Sequence, residues 1–130
     1  MTTSTQIVTG VDFISIPTTD LERSRQFYAE VLGLEESKHW GKENPMGIEF
    51  EPGTVTLALL ANERLGLPFE PTKVPIALQV EDVHAARAEL ESRGVTFEGE
   101  TIDSGVCHMA HFADPDGNAL MFHHRYAPKE

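Results

Sequence analysis

The stretch "VDFISIPTTDLERSRQFYAEVLGL", Val11 to Leu34, contains the change of period that decides the fold. Its first part alternates, with Ile14 and Ile16 on one face of an extended strand and Phe13 and Ser15 on the other. From Leu21 the repeat lengthens to a helical one, and Leu21, Ser24, Tyr28, Val31 and Leu32 form a single stripe. Asp20 stands where a helix N-cap belongs, and Gly33 where a left-handed residue ends the helix. Working outward, strands are predicted over Glu35 to Trp40, Gly47 to Glu51 and Val55 to Leu60, with a Pro52-Gly53 turn between the last two. The order is strand, helix, three strands.

The pattern then recurs. In "VPIALQVEDVHAARAELESRGV", Val74 to Val95, a strand carries Ile76, Leu78 and Val80 on one face, Asp82 caps a second helix and Gly94 stops it. Asp82 lies 62 residues after Asp20, and the same offset sets Ile76 on Ile14 and Leu78 on Ile16. Further strands are predicted at Val95 to Glu98, Val106 to Ala113 and Asn118 to Arg125. Two copies of one βαβββ unit follow, neither able to cover its own sheet, so the halves must pack together. The first module spans about 8–61 and the second about 74–126; the stretch 62–73, with two prolines and no sustained period, is the linker.

A chain of 130 residues is the size of one domain and should bury roughly 70% of its unfolded surface. Asp and Glu total 21 against 10 Lys and Arg, a net charge of −11. A field of that sign repels phosphate backbones, which argues against nucleic acid, and favours neutral or cationic small molecules as partners. The opening "MTTSTQIVTG" lacks the sections of a signal peptide, and no apolar run approaches a membrane span, so a cytoplasmic protein without a membrane partner is expected. Cys107 is the only cysteine, which rules out an intrachain disulfide and a zinc knuckle.

Three stretches in this order, "DLERSRQFYAEVLGL", "VEDVHAARAELESRGV" and "DPDGNALMF", resemble the vicinal oxygen chelate superfamily of glyoxalases, bleomycin-resistance proteins and extradiol dioxygenases. The likeness runs from about Val11 to His123. It implies an α+β fold in which two βαβββ modules form a curved mixed sheet around a concave ligand cavity, with the helices outside. Metal-dependent members hold a divalent ion with His, Gln or Glu at positions that match Phe13, Pro75 and Met121, the last being four residues after Gly117, with a further point near Leu57 or Leu59. Proline offers no donor, and a lone thioether is a poor ligand for such ions, so no metal and no cofactor are expected.

Strand parity then names the residues left for a ligand. Ala110, Phe112, Leu120 and Phe122 should pack on the helices, turning Cys107, Met109, His111, Met121 and His123 the other way, together with Phe13, Ser15, Ala77 and Gln79. Trp40 and Phe50 offer stacking area. The expected site is Phe13, Ser15, Trp40, Phe50, Gln79, Met109, His111, Met121 and His123: apolar walls with a few polar points, the composition of a small-molecule pocket. His108 and His124 are read as structural or exposed, and Cys107 as a small buried hydrophobe. A metal-free homodimer that binds or sequesters a small molecule is the leading expectation. The alternative is a lyase, isomerase or dioxygenase that either places a relocated metal on His111, His123 and Glu49, or uses His111 or His123 as a catalytic acid or base.

Overall fold

The computed structural model describes residues 5–41 and 43–129. The first module runs β1 (Phe13–Thr18), α1 (Leu21–Gln26), β2 (Glu35–Trp40), β3 (Gly47–Glu51) and β4 (Thr56–Ala61); the second runs β5 (Ile76–Gln79), α2 (Val83–Ser92), β6 (Glu98–Asp103), β7 (Cys107–Ala113) and β8 (Ala119–Arg125). Each module is a four-stranded mixed sheet, in the orders β1-β4-β3-β2 and β5-β8-β7-β6, with the first strand of each pairing parallel to the last. This is the α+β architecture of two βαβββ modules, and no strand ladder joins one sheet to the other among the described residues.

The helices start and stop where their sequence signals stand. The Asp20 carboxylate accepts from the Arg23 amide and that of Asp82 from the Ala85 amide, both at 3.1 Å. Gly33 and Gly94 take φ of 75° and 91°, the left-handed conformation that ends a helix at no steric cost. The first helix departs from its expected form in widening to a π-helical turn over Phe27–Val31. Both Phe27 and Tyr28 are buried as a result, while Val31 and Leu32 of the predicted stripe are only partly covered.

The strand after Gly94 also starts later than the expected Val95 to Glu98. The Val95 amide still bonds back to the Leu90 carbonyl at 3.0 Å, closing the helix, and Phe97 turns into the core. Strand β6 begins at Glu98 and is almost wholly exposed, an edge strand whose polar sequence gives no alternation to read. The remaining strand registers put Ile16, Ile48, Phe50, Leu57 and Leu59 in the core of the first module, and Phe97, Ala110, Phe112, Leu120 and Phe122 in that of the second.

The modules are joined by the turn Asp114–Asn118. The Asp114 carboxylate is buried and accepts from the Tyr28 hydroxyl (2.7 Å), the Asp116 and Asn118 amides (both 2.9 Å) and the Asn118 side chain (2.8 Å). Tyr28 is itself fully buried, and that burial, followed by the charge of Asp114, pushes its phenol far above the ordinary range. Asp116 reaches across to the start of α1, accepting from Thr18 Oγ1 (2.5 Å), Thr19 Oγ1 (2.6 Å), Ser24 Oγ (2.9 Å) and Arg23 Nη2 (2.7 Å). Asn118 donates to the Pro17 carbonyl and accepts from the Thr72 amide, tying β1 and the linker to the same turn.

Burial alone would push the Asp116 carboxyl up, but the hydroxyls of Thr18, Thr19 and Ser24 and the Thr19 amide outweigh it and hold the group below its ordinary value of 3.8. A carboxyl lowered on folding stabilises the fold fully above 3.8, and that contribution is lost as pH falls through the lower folded value. Asp116→Asn should therefore cost about 1–3 kcal/mol at neutral pH by denaturant titration, and the gap from the parent protein should narrow below about pH 4. An unchanged gap down to pH 2 would show that the charge of Asp116 contributes nothing. Tyr28→Phe should cost about 1–2 kcal/mol by the same measurement, because Asp114 then loses one of its four donors while buried.

Candidate functional site

Each sheet has one face turned away from its helix, and the strand registers decide what stands there. In the second module Ala77 lies beside Met121 and Gln79 beside His123. Across the β7–β8 hairpin His111 faces Met121, and Met109 faces His123. The two imidazoles are thus diagonal neighbours on residues about 7–8 Å apart by ladder geometry, and not directly opposed. All four of these β7 and β8 side chains are half-buried. Among the described residues no side-chain hydrogen bond or ion pair engages the imidazole of His111 or His123, whereas His124, on the other face, has its Nδ1 3.0 Å from the Val80 carbonyl oxygen.

In the first module the corresponding face carries Phe13, Ser15, Ala58, Glu49 and Trp40. A bulge between Glu36 and Lys38 sets the phase of β2, so that Trp40 sits above Gly47 on the side where Glu49 projects. The indole Nε1 donates to Glu49 Oε2 at 2.6 Å, and Phe13 meets the indole edge-on at 6.2 Å between ring centres. Gly47 is required there: a β-carbon at that position would lie 2.9 Å from the Leu59 carbonyl oxygen and 3.2 Å from Trp40 Cε3. Trp40 is therefore a fixed aromatic plate. Phe50 corrects the sequence expectation: the alternation of β3 sends it with Ile48 into the core, fully buried and 5.9 Å from the Tyr28 ring, where no ligand reaches it.

The family's metal positions do not fit a divalent ion. Phe13 is spent on Trp40, Met121 stands between Ala77 and His111, and Pro75 precedes β5 without a donor. By register the first-module partner of Met121 is Ala58, not Leu57 or Leu59, since Ser15 pairs Ala58 as Ala77 pairs Met121. A relocated metal on His111, His123 and Glu49 finds no support in the geometry either. Glu49 is committed to Trp40 on the other module, and among the described residues no three His, Cys, Asp or Glu side chains gather in a way that would hold an ion.

A cavity of about 580 Å³ lies elsewhere, in the seam between the modules, and of the nine predicted site residues only Gln79 lines it. Its walls are Ile14 and Leu57 from the first sheet, Ile76, Leu78 and Phe122 from the second, Leu32 and Leu34 after α1, and Pro52 and Val55 of the turn before β4; His124, Glu81 and Thr54 are its polar side chains beside Gln79. Periodicity assigned Ile14, Ile76 and Leu78 to the core face, and nothing in spacing along the chain indicates that the core is left open there. Among the described residues, no helix is long and apolar enough to cross a membrane.

Comparison with known proteins gives the same fold from other directions. The lactoylglutathione lyase of Schizosaccharomyces pombe is 27% identical over 124 residues, covering 75% of this chain and 41% of that protein, so the chain spans about two fifths of the length of this curated relative. TnmS3, described as an antibiotic binding protein from Streptomyces sp. CB03234, superposes with a TM-score of 0.75 at 24% identity, over 91% of this chain and 97% of its own. A glyoxalase/bleomycin resistance protein/dioxygenase superfamily member from Sphaerobacter thermophilus DSM 20745 gives 0.76 at 25% identity, over 90% and 98%. The sequence model of the Glyoxalase/Bleomycin resistance protein/Dioxygenase superfamily matches residues 10–122, and the chain belongs to that family.

Proposed function

We propose that this protein binds and holds a small neutral or cationic molecule on the helix-free faces of its sheets, as a cytoplasmic homodimer that uses no metal. The observation that carries the reading is the replaced donor set: Phe13, Pro75 and Met121 occupy the positions where metal-dependent relatives place their ligands, and no three candidate metal donors come together among the described residues. What stands there suits a binder. Trp40 is a fixed stacking surface, Met109 and Met121 adapt to a ligand's shape, and His111, His123 and Gln79 orient it through hydrogen bonds. The charge of −11 favours cations over anions. TnmS3, whose description names antibiotic binding, supports the same class of activity.

Self-association is supported by apolar side chains left in solvent on the arm leading into β1 and before β5, with Ile7 and Val74 90% and 84% exposed, and by the unpaired outer edges of β1 and β5. A second reading, acid–base catalysis by His111 or His123, rests on their having no protein partner among the described residues. Turnover by purified protein at saturating ligand, abolished in His123→Ala, would favour it.

Purified protein should contain far less than one equivalent of Fe, Mn, Ni or Zn by elemental analysis, and chelator should leave its melting temperature unchanged; stoichiometric metal retained through dialysis would reverse the reading. Trp40 is the only tryptophan, so a ligand found by thermal-shift screening should change its emission on binding. His123→Ala should weaken that ligand by about 1–3 kcal/mol in calorimetry, with His124→Ala nearly neutral; equal losses would place the ligand on the wrong face of β8. Sedimentation at micromolar concentration should give a dimer, and a clean monomer would remove that part.

A further inference from the structure

The two ends of the seam between the modules are related by the internal repeat, yet only one is closed. The register pairs Ile14 with Leu57 and Ile76 with Leu120, so the turn Asp114–Asn118 has its counterpart in 51–55. Asp114, Asp116 and Asn118 are matched by Glu51, Gly53 and Val55, which cannot reproduce their bonds. The groups that receive the turn change in step. Thr18, Ser24 and Tyr28 are matched, 62 residues on, by Val80, Ala86 and Leu90. One end is thus plugged by a hydrogen-bonded turn, and the other is the 580 Å³ cavity, faced by apolar side chains that have the parity of core residues but are not covered.

We propose that this cavity is a second binding site, sharing only Ala77 and Gln79 with the helix-free face of β5, for an elongated apolar molecule that carries one hydroxyl or amine and no negative charge. Ile14, Ile76 and Leu78 are only partly buried although they stand on the core side of their sheets, and an apolar chain lying against them removes that surface from water. His124 supplies the polar end. A carbonyl oxygen only accepts, so the contact between His124 Nδ1 and Val80 O places the proton on Nδ1 and leaves Nε2 of the neutral ring as an acceptor. Nε2 has no partner among the described residues, and the ring lines the cavity. Glu81, also in the lining, repels an anion and attracts an ammonium group. The volume lies within the roughly 300–1,000 Å³ usual for small-molecule sites.

The test uses the full chain with selectively labelled Ile, Leu, Val and Met methyl groups and three probes of one length, 1-decanol, decylamine and decanoate, each below its micelle concentration. Decanol and decylamine should shift the methyl resonances of Ile14, Ile76 and Leu78 saturably, with Met109 and Met121 unmoved, and decanoate should bind at least tenfold more weakly. Leu78→Trp, which fills the cavity, should abolish the shifts. Should that variant fail to fold, Thr54→Trp at the exposed turn beside the cavity should still lower affinity at least tenfold. His124→Phe, which keeps the ring and loses Nε2, should weaken decanol about tenfold. Shifts confined to Met109 and Met121, decanoate binding as tightly as decylamine, or Ile14 and Ile76 shifts produced by raising protein concentration alone would each overturn the proposal, the last by making a second copy the occupant. Emission of Trp40 reports on the other face independently, so failure here and failure of the function proposed above are separately visible.

Discussion

The molecule depends on a carboxylate pair that holds its two halves together. Asp114 and Asp116 sit two residues apart in one turn and face opposite tasks. Asp114 folds the turn on itself and receives the phenol of Tyr28 from the core of the other module. Asp116 gathers three hydroxyls and a guanidinium at the start of α1. Neither carboxylate would tolerate burial without these donors, since an unpaired charge costs far more than a hydrogen bond returns. The donors in turn explain residues that look out of place in an apolar stripe. Ser24 and Tyr28 lie among the buried side chains of the α1 segment because their hydroxyls leave the first module and bond to the second.

That junction also sets the asymmetry of the fold. A repeated βαβββ unit would give two equivalent junctions if the copies were equal, but the second module's turn carries Asp114 and Asp116 where the first has Glu51 and Gly53, and only the first module's helix start carries hydroxyls. Polar plug and open apolar cavity are therefore two outcomes of one architecture. The helix-free faces have diverged as well. The first is organised around an immobilised Trp40, held by Glu49, Phe13 and the absence of a β-carbon at Gly47. The second offers two imidazoles and two thioethers that make no side-chain hydrogen bond or ion pair among the described residues. The function proposed above uses this contrast, an aromatic plate on one face and imidazoles and thioethers on the other.

Much of this was legible along the chain. The order of elements, both N-caps, both glycine stops and the split between core and outer faces of β1, β5, β7 and β8 follow from local periodicity, because a helix and a strand each impose their own repeat on whichever side chains meet the core. The position of β6 is not legible there, because an edge strand exposed on both faces has no such repeat. Nor is the π-helical widening of α1, which seats two adjacent aromatics and is a matter of packing.

The sequence by itself determined two βαβββ modules and the family they resemble, since both are written in residue type at fixed spacing. The tertiary structure alone decided that Phe50 is core, because the alternation of β3 turns it with Ile48 onto Tyr28, and that Trp40 is not, because a bulge in β2 sets its phase against β3. It alone showed Glu49 hydrogen-bonded to Trp40 on the first module, away from His111 and His123 on the second, and His124 placed on a cavity that spacing along one strand does not reveal. The reason is common to all three: periodicity tells which way a side chain points from its own strand, whereas what it meets there is set by residues from the other strands and the other module that packing brings alongside.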